Sequence, residues 1–240
     1  MLAIDPRTGV PGIWSLKPED TLGLVFWTKD PANLLRDQHL LVGYMTKVHV
    51  TVTGWGEVEK GAPTLVDGAK LLEQTARAFG VENVTWRFSP VPVLPEKDLL
   101  QRFFTIATYA QSAGLREVFV SFLQTNDLMG EPRKVEQRLE TLDALARVVA
   151  PLDIEVLLCN EDRTLEGRVQ EGNLSNGICA EPFFGGNGPA QVEGCGCVLM
   201  ADPFTINESC TMGCSYCYAA DKTLSTKKRN TTKVSLEVLR

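Results

Sequence analysis

Apolar and polar positions follow two rhythms along the first two-thirds of the chain. Leu22 to Trp27 is an apolar run stopped by Asp30-Pro31, which predicts a strand, and Ala32 to Leu41 reads as a short helix. Val48-His-Val-Thr-Val-Thr53 alternates with a period of two, the mark of a second strand, and Gly54-Trp55-Gly56 ends it as a turn. Val66, Ala69, Leu72, Ala76 and Phe79 step at helical spacing until Gly80, predicting a helix over 65–79. A third strand follows from Val84 to Ser89, broken by Pro90 and Pro92, then a helix from Leu99 to Ser112 closed by Gly114. Glu117 to Leu123 predicts the fourth strand. The most regular helix carries Val135, Leu139, Leu142, Ala146 and Val149, and Ile154 to Cys159 is the fifth strand.

Strand and helix thus alternate with connections too long for hairpins, which predicts parallel pairing and right-handed crossovers. The expected class is α/β, a partial or permuted (βα) barrel of about six parallel strands. Residues 1–21 are spaced by proline and glycine and predict no element. Residues 163–194 lose the pattern, and a sixth strand is expected at 198–200 or 204–206. We therefore divide the chain into a barrel-like body (1–162), an irregular cysteine-rich segment (163–217) and a basic tail (218–240).

With a period of two, placing Val48, Val50, Val52, Val84, Trp86 and Phe88 against helices turns His49, Thr51, Thr53, Thr85, Arg87 and Ser89 to the other face. The same rule turns Ser121 and Cys159 that way. This face is polar for a barrel interior and predicts a cavity for a polar ligand. Ligands of such folds sit at the carboxyl ends of strands, which selects Lys29, Thr51, Thr53, Arg87, Ser121, Asn160 and Glu161 as candidate binding residues. Arg87 is suited to a carboxylate, whereas His49 also reads as a satisfied interior residue.

The chain has 240 residues, 44% of them hydrophobic, enough to bury a core. Neither a leader nor a bilayer-length apolar run is evident, so a soluble, cytoplasmic protein without a membrane partner is expected. Net charge is −6, which disfavours a general nucleic-acid binder. Yet 218–240 carries six basic against two acidic residues, leaving −10 on the rest. Lys227, Lys228 and Arg229 head this tail, which reads either as a solvated segment or as a phosphate-contacting lip.

Five of the seven cysteines fall between 195 and 217, a clustering that suits metal ligation in a reducing compartment. Cys210, Cys214 and Cys217 have C-x3-C-x2-C spacing, which lets one loop bring three thiolates to one iron–sulfur cluster or zinc. Three ligands leave a cubane one short, so a distant cysteine completes it or one iron stays open. The alternative is a zinc ribbon with Cys195-Gly-Cys197 and Cys214-x2-Cys217 as its knuckles and Cys210 as bystander. Cys159, Cys179, Cys195 and Cys197 remain as a complete four-thiolate set for a second [4Fe-4S] cluster or a structural zinc; Cys159 and Cys179 also read as small buried hydrophobes.

The cysteine triple, with Tyr216 before its last member, resembles the signature of the radical S-adenosylmethionine (SAM) superfamily. The stretch Cys214-Ser-Tyr-Cys-Tyr-Ala219 is most similar to the branch that includes spore photoproduct lyase. Together with 25–31, 51–56, 86–90 and Cys195-Gly-Cys197, it also resembles an uncharacterised bacterial and phage domain family with a cysteine-rich C-terminus. That resemblance implies a [4Fe-4S] cluster on Cys210, Cys214 and Cys217, with SAM chelating the open iron and Tyr216 beside it. It further implies reduction by a flavodoxin- or ferredoxin-like donor, cleavage of SAM to a 5′-deoxyadenosyl radical, and hydrogen abstraction from a substrate C–H. Most superfamily members carry the loop after their first strand, whereas here it follows the strands, as a permuted ring would allow. The likeness to the lyase and the basic tail favour a thymine-type base in DNA. The acidic body favours an amino acid, peptide or small metabolite, and an iron–sulfur electron carrier is the reading from another class.

Overall fold

The structure, a computed structural model, describes residues 2–4, 11–13, 15–91, 96–122, 135–159, 174–177, 202–203 and 210–216. Its main sheet has six strands: β3 (Leu24–Thr28), β4 (Thr46–Thr51), β5 (Val84–Val91), β6 (Glu117–Phe122), β7 (Glu155–Cys159) and β8 (Leu174–Gly177). They lie side by side in chain order and every pair is parallel. Four helices connect or follow them: α1 (Ala32–Asp37), α2 (Leu65–Phe79), α3 (Glu96–Ser112) and α4 (Val135–Val149). Chain-order strands joined by crossovers of one hand collect the helices on one face, an arrangement consistent with part of a (βα) barrel.

The helix-facing side of the sheet is the alternating set expected from the sequence. Val48, Val50, Val52, Val84, Trp86, Phe88, Val118, Val120, Val156 and Leu158 form one core with Ala69, Leu72, Phe103, Ile106, Leu142 and Leu145. Trp86, fully buried, meets Phe103 at a tilt and Phe88 edge-to-face, at centroid distances of 5.0 and 6.4 Å. Each such side chain removed from water stabilises the fold by about 1.5–3 kcal/mol. The helix boundaries follow local chemistry. The Thr64 hydroxyl caps α2 by accepting from the Asp67 N–H, and Gly80 (φ 87°) ends it in a backbone conformation that a side chain would strain.

Several expectations are corrected. β5 does not stop at Ser89: it passes Pro90 to Val91, with a register shift between Phe88 and Val91 that accommodates a residue lacking a donor. The sixth strand is β8, inside the stretch expected to be patternless. Its sequence Leu-Ser-Asn-Gly has no period to read, and its main-chain pairing with β7 defines it. Residues 1–21 are not without elements. β1 (Leu2–Ile4) pairs antiparallel with β2 (Pro11–Ile13) and with β9 (Asp202–Pro203) in a small second sheet. Such short strands leave no periodic signal. Residues 198–200 and 204–206 lie outside the described set. Among the described residues, no helix is long and apolar enough to cross a membrane.

Candidate functional site

Residues 52–64 carry the chain from β4 over the carboxyl edge of the sheet to α2. Two left-handed glycines shape this loop, Gly54 at φ 68° and Gly56 at φ 56°. A side chain at Gly54 would also meet Leu65 Cδ1 at 2.6 Å, and the Arg102 guanidinium of α3 donates to the Gly54 carbonyl. A 3-10 turn, Gly56–Val58, then delivers Glu59.

This loop receives the cysteine segment. Glu59 and Cys214 form an antiparallel bridge, the Gly61 N–H donates to the Met212 carbonyl at 2.8 Å, and the Ser215 N–H donates to the Val58 carbonyl at 3.0 Å. Gly213, at φ 58°, bends the segment just before Cys214. Cys210 is exposed and Cys214 half-buried, and Cys217 lies outside the described residues. The backbones approach so closely that a Cβ at Gly61 would lie 2.2 Å from the Thr211 carbonyl oxygen. Gly61→Ala should therefore displace the segment, since main-chain atoms cannot yield as a side-chain end can. Such overpacking costs about 1–3 kcal/mol, and here it falls on the docked segment. Cys214 should react with iodoacetamide at least about tenfold faster while the melting temperature of the body stays near that of the wild type.

Glu59, 4% exposed, is the hub of the edge. Lys29, just past the end of β3, donates to its Oε1 at 2.8 Å, and Thr53 Oγ1 lies 2.9 and 2.8 Å from the two carboxylate oxygens. The Tyr216 hydroxyl donates to Oε1 as well. The Lys29 ammonium stands 5.7 Å from the centroid of the Tyr216 ring, and Trp55 meets that ring edge-on at 5.3 Å. Burial, with the Glu59 carboxylate beside it, pushes the Tyr216 phenol far above its ordinary range, so it stays protonated and acts as donor. Both ends of the Lys29–Glu59 pair are largely out of water, so each charge depends on the other.

The side of the sheet opposite the helices carries the other candidates. Thr51 lies in register with Arg87, which in turn aligns with Phe119 and Leu157. Arg87 Nη2 approaches Cys159 Sγ at 3.8 Å, and the hydroxyls of Ser89 and Ser121 are hydrogen-bonded. Phe119 and Leu157 are buried there, so this face is mixed rather than uniformly polar. The structure brings Lys29, Thr53 and Tyr216 together, and separately brings Arg87 to Cys159. Asn160, Glu161, Cys179, Cys195, Cys197, Lys227, Lys228 and Arg229 lie outside the described residues. Glu59 and Trp55 were missed by sequence reasoning. The signal was a carboxylate three residues beyond a Gly-Trp-Gly turn at a strand's carboxyl end, opposite a strand-end lysine in need of a counter-charge.

His49 is not a satisfied interior residue. It is fully buried and stacked on Trp27 at 5.3 Å and 11°, and neither ring nitrogen has a hydrogen-bond partner among the described residues. Burial first, then the charges of Arg87 and Lys47, push its pKa down to about 2. The folded state therefore resists a proton that the unfolded chain takes up near pH 6.5. Stability from this residue is complete above that pH and is lost as pH falls toward the folded value. Between pH 7 and pH 5 the loss should approach about 2 kcal/mol. Parallel urea titrations of wild type and His49→Phe should show this slope in the wild type alone.

The fold and site together define a parallel α/β protein with a cysteine segment docked at the carboxyl edge of its sheet. The chain belongs to the family described as Domain of unknown function (DUF1848), which matches residues 9–219. No curated protein matches it. Among solved structures it is similar to mannonate dehydratase from Streptococcus suis serotype 2, at 13% identity and a TM-score of 0.33. The match covers 68% of this chain and 59% of that one, so the chain spans less than two-thirds of that protein's length.

Proposed function

We propose that the protein is a radical SAM enzyme in which Cys210, Cys214 and Cys217 hold a [4Fe-4S] cluster and SAM takes its open iron. The observation that carries this reading is the docking of the Cys210–Tyr216 segment on the loop after β4, at the edge where parallel α/β proteins bind ligands. The donor set fits: soft thiols at one-loop spacing, with Cys210 exposed and Cys214 half-buried. When bound, the cluster and SAM supply one-electron reductive cleavage of SAM and hydrogen abstraction from a substrate C–H, with electrons from a ferredoxin- or flavodoxin-like donor. The chain's own residues bind and orient. Arg87 offers a guanidinium to a carboxylate or phosphate, and Thr51, Ser89 and Ser121 add hydroxyls on the same face. In this reading the sheet is a partial or permuted barrel whose mouth the cysteine segment lines, and the protein works in the reducing cytoplasm.

The proposed substrate is a thymine-type base in DNA, supported by the likeness of 214–219 to the spore photoproduct lyase branch and by the basic tail. Anaerobic reconstitution tests the chemistry. About four iron atoms per chain and 5′-deoxyadenosine formed with dithionite and SAM are expected; about eight would add the second cluster. A colourless zinc protein forming none overturns the reading. Salt-sensitive retention on DNA tests the substrate class, and its absence moves the substrate to an amino acid, peptide or small metabolite.

A further inference from the structure

Glu59 is a poor ligand-binding residue as it stands, because its oxygens are already engaged by three side chains of this chain. Lys29, Thr53 and Tyr216 converge on it from the end of β3, the end of β4 and the cysteine segment. Tyr216 among these belongs to the docked segment, and its hydroxyl adds a side-chain bond to the main-chain bonds that hold residues 212–215 on the loop. A hydrogen bond to a buried carboxylate is stronger than one between neutral groups, so this contact outweighs each of the described main-chain bonds between segment and loop.

We infer that Glu59 is a latch that seats the cysteine segment on the sheet through Tyr216, and that Lys29 and Thr53 are positioning residues for its carboxylate rather than ligand-binding residues. The ammonium of Lys29 balances the buried charge from one side while the Thr53 hydroxyl spans both oxygens, which fixes the plane of the carboxylate. The phenol then has one direction in which to donate. Trp55 closes on the ring edge and holds it in that direction. The consequence is a metal-binding loop in register with the sheet before any metal is bound, which lowers the conformational entropy lost on loading. That last step rests on the proposed metal centre, whereas the latch itself does not.

The test is amide hydrogen exchange on the full chain, first without added metal. The Gly61 and Ser215 amides report docking, and those of Trp86 and Val120 in the central strands report global stability. Tyr216→Phe keeps the ring against Trp55 and leaves the Lys29–Glu59 pair intact, so it should fold. It should speed exchange at Gly61 and Ser215 by about tenfold or more with Trp86 and Val120 unchanged. Lys29→Met with Glu59→Gln turns the charged acceptor into a neutral one without leaving a buried charge alone, so it should also speed Gly61 and Ser215, and adding Tyr216→Phe to it should change these amides less than Tyr216→Phe does in the wild type, since both changes weaken one tie. Unchanged Gly61 and Ser215 amides in Tyr216→Phe, or acceleration of all four together, would overturn the latch. After iron–sulfur reconstitution, the electron paramagnetic resonance spectrum of the reduced Tyr216→Phe protein should differ from that of the wild type. An identical spectrum from equally loaded proteins would overturn the positioning of the metal loop. If wild type loads no iron while the amides respond as expected, the latch stands and the radical SAM reading falls.

Discussion

Cys214→Ala should abolish 5′-deoxyadenosine formation and leave the α/β body folded. The bridge between Glu59 and Cys214 is made by main-chain atoms, which alanine keeps, and the thiol is what the substitution removes. A cubane held by three thiolates does not survive the loss of one, so iron content should fall with activity. Cys210→Ala is the sharper variant because it separates two metals. A zinc ribbon built from Cys195, Cys197, Cys214 and Cys217 has no use for Cys210, so zinc content would stay at the wild-type level. A SAM-binding cluster needs it, and both iron and product would be lost. Iron counts and deoxyadenosine chromatography on the two variants beside wild type settle the outcome. Retention of both iron and product in Cys210→Ala would rule out the proposed ligand set.

Lys29→Met should be the most destabilising change at the sheet edge, at about 3 kcal/mol in a urea titration. Methionine keeps the length and much of the packing of the lysine stem but leaves Glu59, 4% exposed, with the neutral hydroxyls of Thr53 and Tyr216 as its donors among the described residues. Removing one partner of a buried pair costs more than the pair was worth, since the remaining charge is still out of water. The same logic gives the control. In the double variant Lys29→Met with Glu59→Gln no charge is left without its counter-charge, so its stability should lie above that of Lys29→Met alone. A double variant at or below the single one would show that the lysine acts through stem packing and not through its charge.

The candidate site was half-legible in the sequence. Lys29, Thr53 and Tyr216 could be named because each stands at a strand end or inside a cysteine motif, positions that have meaning without a partner. Assigning Lys29 and Thr53 to a ligand followed from treating strand ends as isolated. In the structure they are occupied by Glu59, whose role is invisible locally because its neighbours come from residues 30 positions before and 157 positions after it. His49 shows the same limit. Its place on the face away from the helices follows from alternation with Val48 and Val50, but the stacking of Trp27 on its ring depends on the neighbouring strand.

What the amino-acid sequence determined by itself was everything governed by local period and punctuation. That includes α2 over 65–79 with its Gly80 stop, the helix-facing valines of β4, the parallel pairing of the strands, and the thiol spacing of one loop. Backbone geometry and side-chain alternation act over a few residues, so they can be read along a line. Only the tertiary structure decided that β8 extends the sheet, that β1, β2 and β9 form a second one, and that the cysteine segment lies on the loop after β4. Those pairings depend on main-chain hydrogen bonds and on a buried carboxylate shared by distant residues, interactions that exist only once the chain has brought their partners together.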